Sequence, residues 1–193
     1  HNGSRGLGDV YKRQHLQQVD LPADHVAGTF WYHAHVHGST AIQVASGMAG
    51  ALIVVDPSKG LDAIPQIAEA KDFVFVMQQL AYDEQGQIEN YNNLQQRGYS
   101  NLNRPVFVNG QAYPVIEMMP NEVQRWRFIH AGITDGIQPM LVSDATSTSP
   151  TPIPLNEIAL DGLPTGTMPA INNATLSPGY RVDVLAQIAN ATA

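Results

Sequence analysis

Three histidines, His33, His35 and His37, stand at alternate positions of an extended stretch that also holds Phe30, Trp31 and Tyr32. Imidazole nitrogens are the commonest protein ligands for copper and zinc. A β-strand sends residues i, i+2 and i+4 to one face. The spacing therefore predicts Trp31, His33, His35 and His37 on one face. Phe30, Tyr32, Ala34 and Val36 fall on the other, which is expected to turn to a core. At roughly 3.3 Å per residue, adjacent histidines sit ~7 Å apart along the chain, and His33 lies roughly 13 Å from His37. No single metal takes both ends of that row. Adjacent histidines could serve two neighbouring metals, or one metal completed by ligands from elsewhere. The plainer alternative is a row of solvated strand histidines, and spacing by itself names no metal.

The elements that must position these rings are strands. Residues 28–36 read as one, followed by a short helical turn at 40–46 and a continuous apolar strand at 50–56 that Pro57 stops. Residues 58–70, with Pro65, read as a linker. A second apolar strand is expected at 73–77. Residues 83–104, dominated by Asn and Gln, read as a long loop of functional or mobile character. Further strands are expected at 105–108, ending in the Asn109-Gly110 turn, and at 115–119, 123–130, 153–160 and 181–188. In 123–130 the alternation puts Trp126, Phe128 and His130 on one face, and Val123, Arg125, Arg127 and Ile129 on the other. His130 is therefore expected in the core or facing a turn, not on a metal. Short strands separated by turn signals predict an all-β sandwich or barrel.

Composition narrows the function. Apolar residues make up 44% of the 193, enough to bury a core in one domain or two small ones. The formal net charge of −7 argues against nucleic acid and against anionic membrane surfaces as partners. No apolar run is long enough for a membrane-spanning helix. The chain has no cysteine, so it cannot build a thiolate–copper site.

The stretch from Trp31 to Gln43, with the Gly47-Met48-Ala49-Gly50 turn and the apolar strand after it, closely resembles the second copper motif of the multicopper oxidases, the laccase and bacterial cuprous-oxidase family. The resemblance implies a fold of cupredoxin-like Greek-key β-sandwich domains. It also implies that His33 and His35 each bind one copper of the type 3 pair within a trinuclear cluster. His37 matches no ligand of that pattern, and its implied role is a hydrogen bond to a ligand. Asn109-Gly110, Glu122 with Arg125 and Arg127, residues 158–162 and the 178–185 stretch resemble the family's second, copper-free domain.

The family's other histidine motifs and its His-Cys-His motif are not in this sequence. What it resembles is thus a piece of a three-domain oxidase that lacks domain 3. Residues 15–57 would be the C-terminal part of domain 1, 58–71 a linker, and 72–193 most of domain 2. Residues 4–14 look like a transposon-derived sequencing adapter read in frame, as in a metagenomic fragment, so 1–14 is expected to be a non-native leader.

The activity implied is one-electron oxidation of a small donor, a phenol or a metal ion, coupled to reduction of dioxygen to water. Copper is the implied cofactor and the periplasm or cell exterior the implied location. The piece alone is expected to be inactive. A copper-less structural or cell-division-associated periplasmic relative of the family is the alternative. Those relatives lose the histidines, so His33, His35 and Gln43 favour the oxidase. A cupin is excluded: it needs a Glu three or four residues after the second His, where Ser39 and Thr40 stand here.

Overall fold

The structure, a computed structural model, describes residues 18–82, 85–86, 88 and 104–189. Strand β1 (Gly28–His33) leads through helix α1 (Thr40–Ala45) into β2 (Ala49–Val54). The two strands pair antiparallel, from Gly28 opposite Val54 to His33 opposite Ala49. Residues 58–70, expected as plain linker, fold into a 3-10 turn (Gly60–Ala63) and helix α2 (Pro65–Ala68). Pro65 opens α2, where a missing N–H costs nothing. Then come β3 (Lys71–Gln79), β4 (Val106–Val108), β5 (Val123–His130), β6 (Leu141–Val142), β7 (Pro152–Ile153), β8 (Leu155–Leu160), β9 (Leu163–Pro164), β10 (Ala170–Ile171) and β11 (Arg181–Gln187).

One large sheet runs β10-β8-β11-β5-β3-β4, with β9 attached to β8. The chain is all-β and cupredoxin-like. The other ladders are antiparallel, but β3 and β5 pair parallel, from Lys71 opposite Gln124 to Met77 opposite His130. The chain between these strands is long enough to cross over and re-enter the sheet in the same direction.

Alternation gives β5 its two faces. Trp126 and Phe128 enter a core with Phe75, Met77, Leu155, Leu176, Val182 and Val184. The Phe75 and Phe128 rings stack at 5.2 Å, and Trp126 meets Phe75 edge-on at 5.6 Å, both favoured aromatic geometries. Residues 115–119, expected as a strand, form no ladder among the described residues. They still alternate: Ile116 and Met118 pack on the core, and Val115 and Met119 face out. A side chain replaces the missing ladder, because Gln124 Nε2 donates to Glu117 O at 2.8 Å. Gln124 Oε1 in turn accepts from Trp126 Nε1 at 2.9 Å.

The turn signals sit where the sequence puts them. Asn109 and Gly110 take φ of 51° and 78°, and Asp161 and Gly162 take 49° and 87°. Two successive positive φ angles match the right-handed twist of flanking strands, and Asn, Asp and Gly tolerate them best. Asn109 also ties its turn to β3. It accepts from Val76 N at 2.9 Å and donates to Val74 O at 2.8 Å. Most of the 83–104 loop, and residues 1–17 with the adapter-like leader, lie outside the described residues.

His130 closes β5 fully buried. Its Nδ1 accepts from Gly132 N at 3.0 Å, so Nε2 carries the proton and donates to Asp135 O at 2.7 Å. Burial holds its pKa below the ordinary 6.5, against the opposing pull of Asp135. A histidine kept neutral by folding destabilises the fold as pH falls below the unfolded-state pKa, because only the unfolded chain takes up the proton. Urea midpoints measured between pH 7 and pH 5 should therefore fall more steeply for the natural chain than for His130→Gln. Equal slopes would show that His130 does not carry the effect.

Candidate metal centre

The four rings predicted on one face of β1 stand in one row. Trp31 stacks on His33 with centroids 4.4 Å apart and planes at 25°. His33 and His35 follow at 5.4 Å, and His35 and His37 at 6.0 Å. Formal pairing of β1 ends at His33, but Ala34 N still donates to Met48 O at 3.2 Å. His33 Nδ1 lies 2.9 Å from its neighbour's carbonyl, Ala34 O. Only a protonated Nδ1 satisfies that contact, which leaves the lone pair on Nε2. His25 stands apart, edge-on to Phe30 at 5.1 Å.

The opposite face of β1 is not a core. Tyr32 is 62% exposed, Val36 59%. Among the described residues β1 and β2 form a two-stranded sheet, and no layer covers that side. Tyr32 lies instead over Gly50, its cross-strand partner, where any Cβ would collide with the ring.

What holds the row is a layer of buried charge on the large sheet, on the side away from the aromatic core. Arg125 bridges Asp62 of the 3-10 turn at 2.8 Å and Asp183 of β11 at 2.9 Å. Arg127 grips Asp72 of β3 through Nε and a terminal nitrogen at 2.6–2.9 Å, and its other terminal nitrogen donates to Thr29 Oγ1 on β1 at 3.0 Å. Thr29, Arg127 and Asp183 are almost wholly buried. Burial works against the charge of Arg127. The Asp72 hydrogen bonds and the negative charges of Asp183, Asp72 and Asp62 more than offset it, so its pKa rises and it stays charged.

Backbone contacts complete the clamp. Gly28 and Gly162 approach so closely that a methyl on Gly28 would strike the Gly162 carbonyl. Gly179 has φ of +85°, and a Cβ there would sit 3.3 Å from the Trp31 ring. Arg181 stitches the same corner. It donates to Thr29 O at 3.3 Å, Gly179 O at 2.8 Å and Asp161 O at 2.8 Å. The 178–185 stretch thus seats Trp31, and Trp31 seats His33.

Comparison with known proteins follows the same lines. A family model described as multicopper oxidase matches residues 10–59, the stretch that holds all three histidines of the row. The McoA multicopper oxidase of Aquifex aeolicus shares the fold, with a TM-score of 0.69 at 23% identity over 86% of this chain and 35% of that one. A laccase-like multicopper oxidase, CueO, from Ochrobactrum sp. superimposes with a TM-score of 0.63 at 28% identity, covering 82% of this chain and 34% of that one. Over residues 10–59 the chain matches the multicopper oxidase family, and its fold is that of multicopper oxidase domains. In sequence it is also 31% identical over 173 residues to the cell division protein FtsP of Shigella dysenteriae, covering 88% of this chain and 34% of that protein. The chain therefore spans about a third of the length of the relatives it matches.

The donor set fits the family's metal in part. Imidazole nitrogens suit copper, and the His33 tautomer leaves Nε2 for it. Two imidazoles do not complete a coordination sphere, and among the described residues no three His, Asp or Glu side chains converge to hold an ion. Gln43, the downstream glutamine of the motif, points its Oε1 into the protein without a hydrogen-bond partner among the described residues.

The clamp was not legible as a clamp. Arg125 and Arg127 could be placed on the non-aromatic face of β5, but Thr29 carried no signal of its own. Its partner lies 98 residues away. Removing one member of a buried pair leaves the other uncompensated. Arg127→Ala should therefore cost about 3 kcal/mol in urea unfolding, the lower end of the usual range because water reaches part of Asp72. Thr29→Val removes one neutral acceptor and should cost about 1 kcal/mol. A loss for Arg127→Ala as small as that for Thr29→Val would remove the argument for the layer.

Proposed function

We propose that this chain supplies His33 and His35 as type 3 copper ligands to an oxidase that takes electrons one at a time from a small donor, a phenol or a metal ion, and reduces dioxygen to water. The observation that carries this reading is the row itself. His33 presents a tautomer-fixed Nε2 from a strand end held by Trp31, Arg127 and Arg181, with His35 next in line. Copper, where bound, supplies the redox chemistry. The residues of this chain hold and aim it: His33 and His35 as ligands, and His37 beside them within reach of a supporting contact.

On this reading residues 15–57 belong to a first cupredoxin-like domain, 58–71 to a linker and 72–193 to a second, copper-free domain. On the same reading residues 1–14 would be a non-native leader. The rest of the cluster, the blue copper and the donor site would come from other parts of a three-domain protein in the periplasm or outside the cell. Among the described residues no helix is long and apolar enough to cross a membrane.

The second reading, a copper-less structural or cell-division-associated relative, draws support from the likeness to proteins named cell division protein FtsP. Against it stands the presence of His33 and His35, whose imidazole nitrogens suit copper.

The test uses the full chain, Cu(II) titration, optical spectra and oxygen uptake with a phenol or Cu(I). Expected are weak copper binding, its loss in the His33→Ala/His35→Ala double variant, no intense blue colour, and no donor-dependent oxygen consumption above free copper. Binding unchanged in the double variant would refute the ligand assignment. A blue, active chain would refute the dependence on other domains.

A further inference from the structure

Among the described residues one asparagine is followed by glycine, Asn109. Glycine offers its backbone nitrogen unhindered, because no side chain shields it from the preceding carboxamide. Attack of Gly110 N on Asn109 Cγ closes a five-membered succinimide and expels ammonia. Water then opens the ring at either carbonyl, giving aspartate or isoaspartate, and no oxidant or reductant is needed. We propose that Asn109 is a site of this spontaneous modification, that its docking on β3 holds the reaction off, and that the modification, once made, prevents redocking.

Three bonds dock Asn109 on β3. Its backbone N donates to Val76 O at 2.9 Å, its Oδ1 accepts from Val76 N at 2.9 Å, and its Nδ2 donates to Val74 O at 2.8 Å. Ring closure needs the carboxamide carbon turned onto Gly110 N. A carboxamide held at both its oxygen and its nitrogen cannot make that turn. The backbone is held as well, with Asn109 at φ of 51° in a turn closed by Val108 and Gln111 at 2.8 and 2.9 Å. The reaction therefore runs from the state in which the turn has left β3. That departure is local. β4 adds only three pairs to the ladder, Val106, Phe107 and Val108 opposite Gln79, Gln78 and Met77, and short elements open at less cost than the whole fold. The lock lies wholly between the turn and β3, so it does not depend on what else packs against this part of the chain.

The product does not fit the lock. Deamidation removes the Nδ2 donor and sets a carboxylate oxygen facing Val74 O, where a hydrogen bond stood. Two acceptors in that contact repel, and neither is satisfied. Isoaspartate adds a methylene to the main chain, which takes the turn out of register with Val76. β4 packs Val106 and Val108 on the aromatic core, so a turn that cannot redock leaves that end of the core uncovered.

The inference does not depend on the oxidase reading. The full chain is held at mildly alkaline pH, and conversion at Asn109 is followed by peptide mapping with mass spectrometry. Conversion in the folded chain should be at least about tenfold slower than in concentrated guanidinium chloride. Val108→Ala trims the hold of β4 on the core and leaves the reacting atoms alone, so it should speed conversion severalfold while far-UV circular dichroism still shows a fold. Sub-denaturing guanidinium makes the same comparison on the unmutated chain. Deamidated chain, separated by its added negative charge, should lose hydrogen-exchange protection in β3 around Val76 and in β4, with β11 unchanged. No conversion in either state would remove the site, and equal conversion in both would remove the lock. Conversion unmoved by Val108→Ala and by sub-denaturing guanidinium would overturn the local release. Unchanged protection in the deamidated chain would overturn the one-way step.

Discussion

The structure turns on one guanidinium. Arg127 lies between β3, β5, β11 and β1, joined to Asp72 and Thr29 and 3.6 Å from Asp183. Burying charge is costly, and an apolar layer of the same volume is often no less stable. What the charged layer adds is register. A greasy contact between β1 and the sheet tolerates a slip of two residues, because the same face still points inward. Such a slip moves every imidazole by ~7 Å along the strand. With Thr29 bound to Arg127 and Arg181, the slip would leave a buried guanidinium without one acceptor. The glycine pair Gly28 and Gly162 enforces the same register sterically, because no other position of β1 offers the carbonyl of Gly162 that approach.

From that anchor, order decays along a single strand. Thr29 is fully buried and bonded through side chain and carbonyl. Trp31, two residues on, is seated on a glycine turn. His33 is stacked on Trp31 and fixed in one tautomer, while His35 and His37 extend past the last ladder pair into solvent. Support is greatest at His33, the one imidazole of the row that is half-buried and hydrogen-bonded among the described residues. The sheet that supplies it carries no imidazole of the row. The same sheet uses its one interior histidine, His130, for a different purpose. Its two ring nitrogens close the end of β5 onto the 131–136 turn, which explains why a histidine on the aromatic face of a strand is no ligand.

Local chemistry was legible where it acts locally. The alternation at 28–37 and at 123–130, the Asn109-Gly110 and Asp161-Gly162 turns, and the short helix after the histidines depend on residues within a few positions of one another. Most of the features missed depend on distant partners; the short helical turns at 60–68 are the local exception. The parallel pairing of β3 and β5 is a choice of topology that neither strand's composition encodes. Residues 115–119 have a strand's alternation but no strand beside them, so Gln124 does the tying. Tyr32 and Val36 lie on a face that periodicity marks as apolar, but burial needs a second layer. The link from Thr29 to Arg127 is invisible for the same reason. A buried threonine and a strand arginine are unremarkable separately, and only the fold brings them within 3.0 Å.

This division between scaffold and rings bears on how the likenesses to other proteins should be weighed. Most of the residues that hold the fold, the aromatic core, the glycine turns and the arginine–aspartate layer, serve any chemistry built on this sheet. The 31% likeness to a cell division protein runs over 173 residues, 88% of the chain, and so spans mostly scaffold. The imidazoles are different. His35 and His37 are exposed and make no hydrogen bond among the described residues, so replacing them would cost folding almost nothing. Stability gives no reason for the two exposed rings, His35 and His37, to stand in line with His33 at the end of a clamped strand. The discrimination between the two readings thus rests on a few side chains that contribute least to the fold.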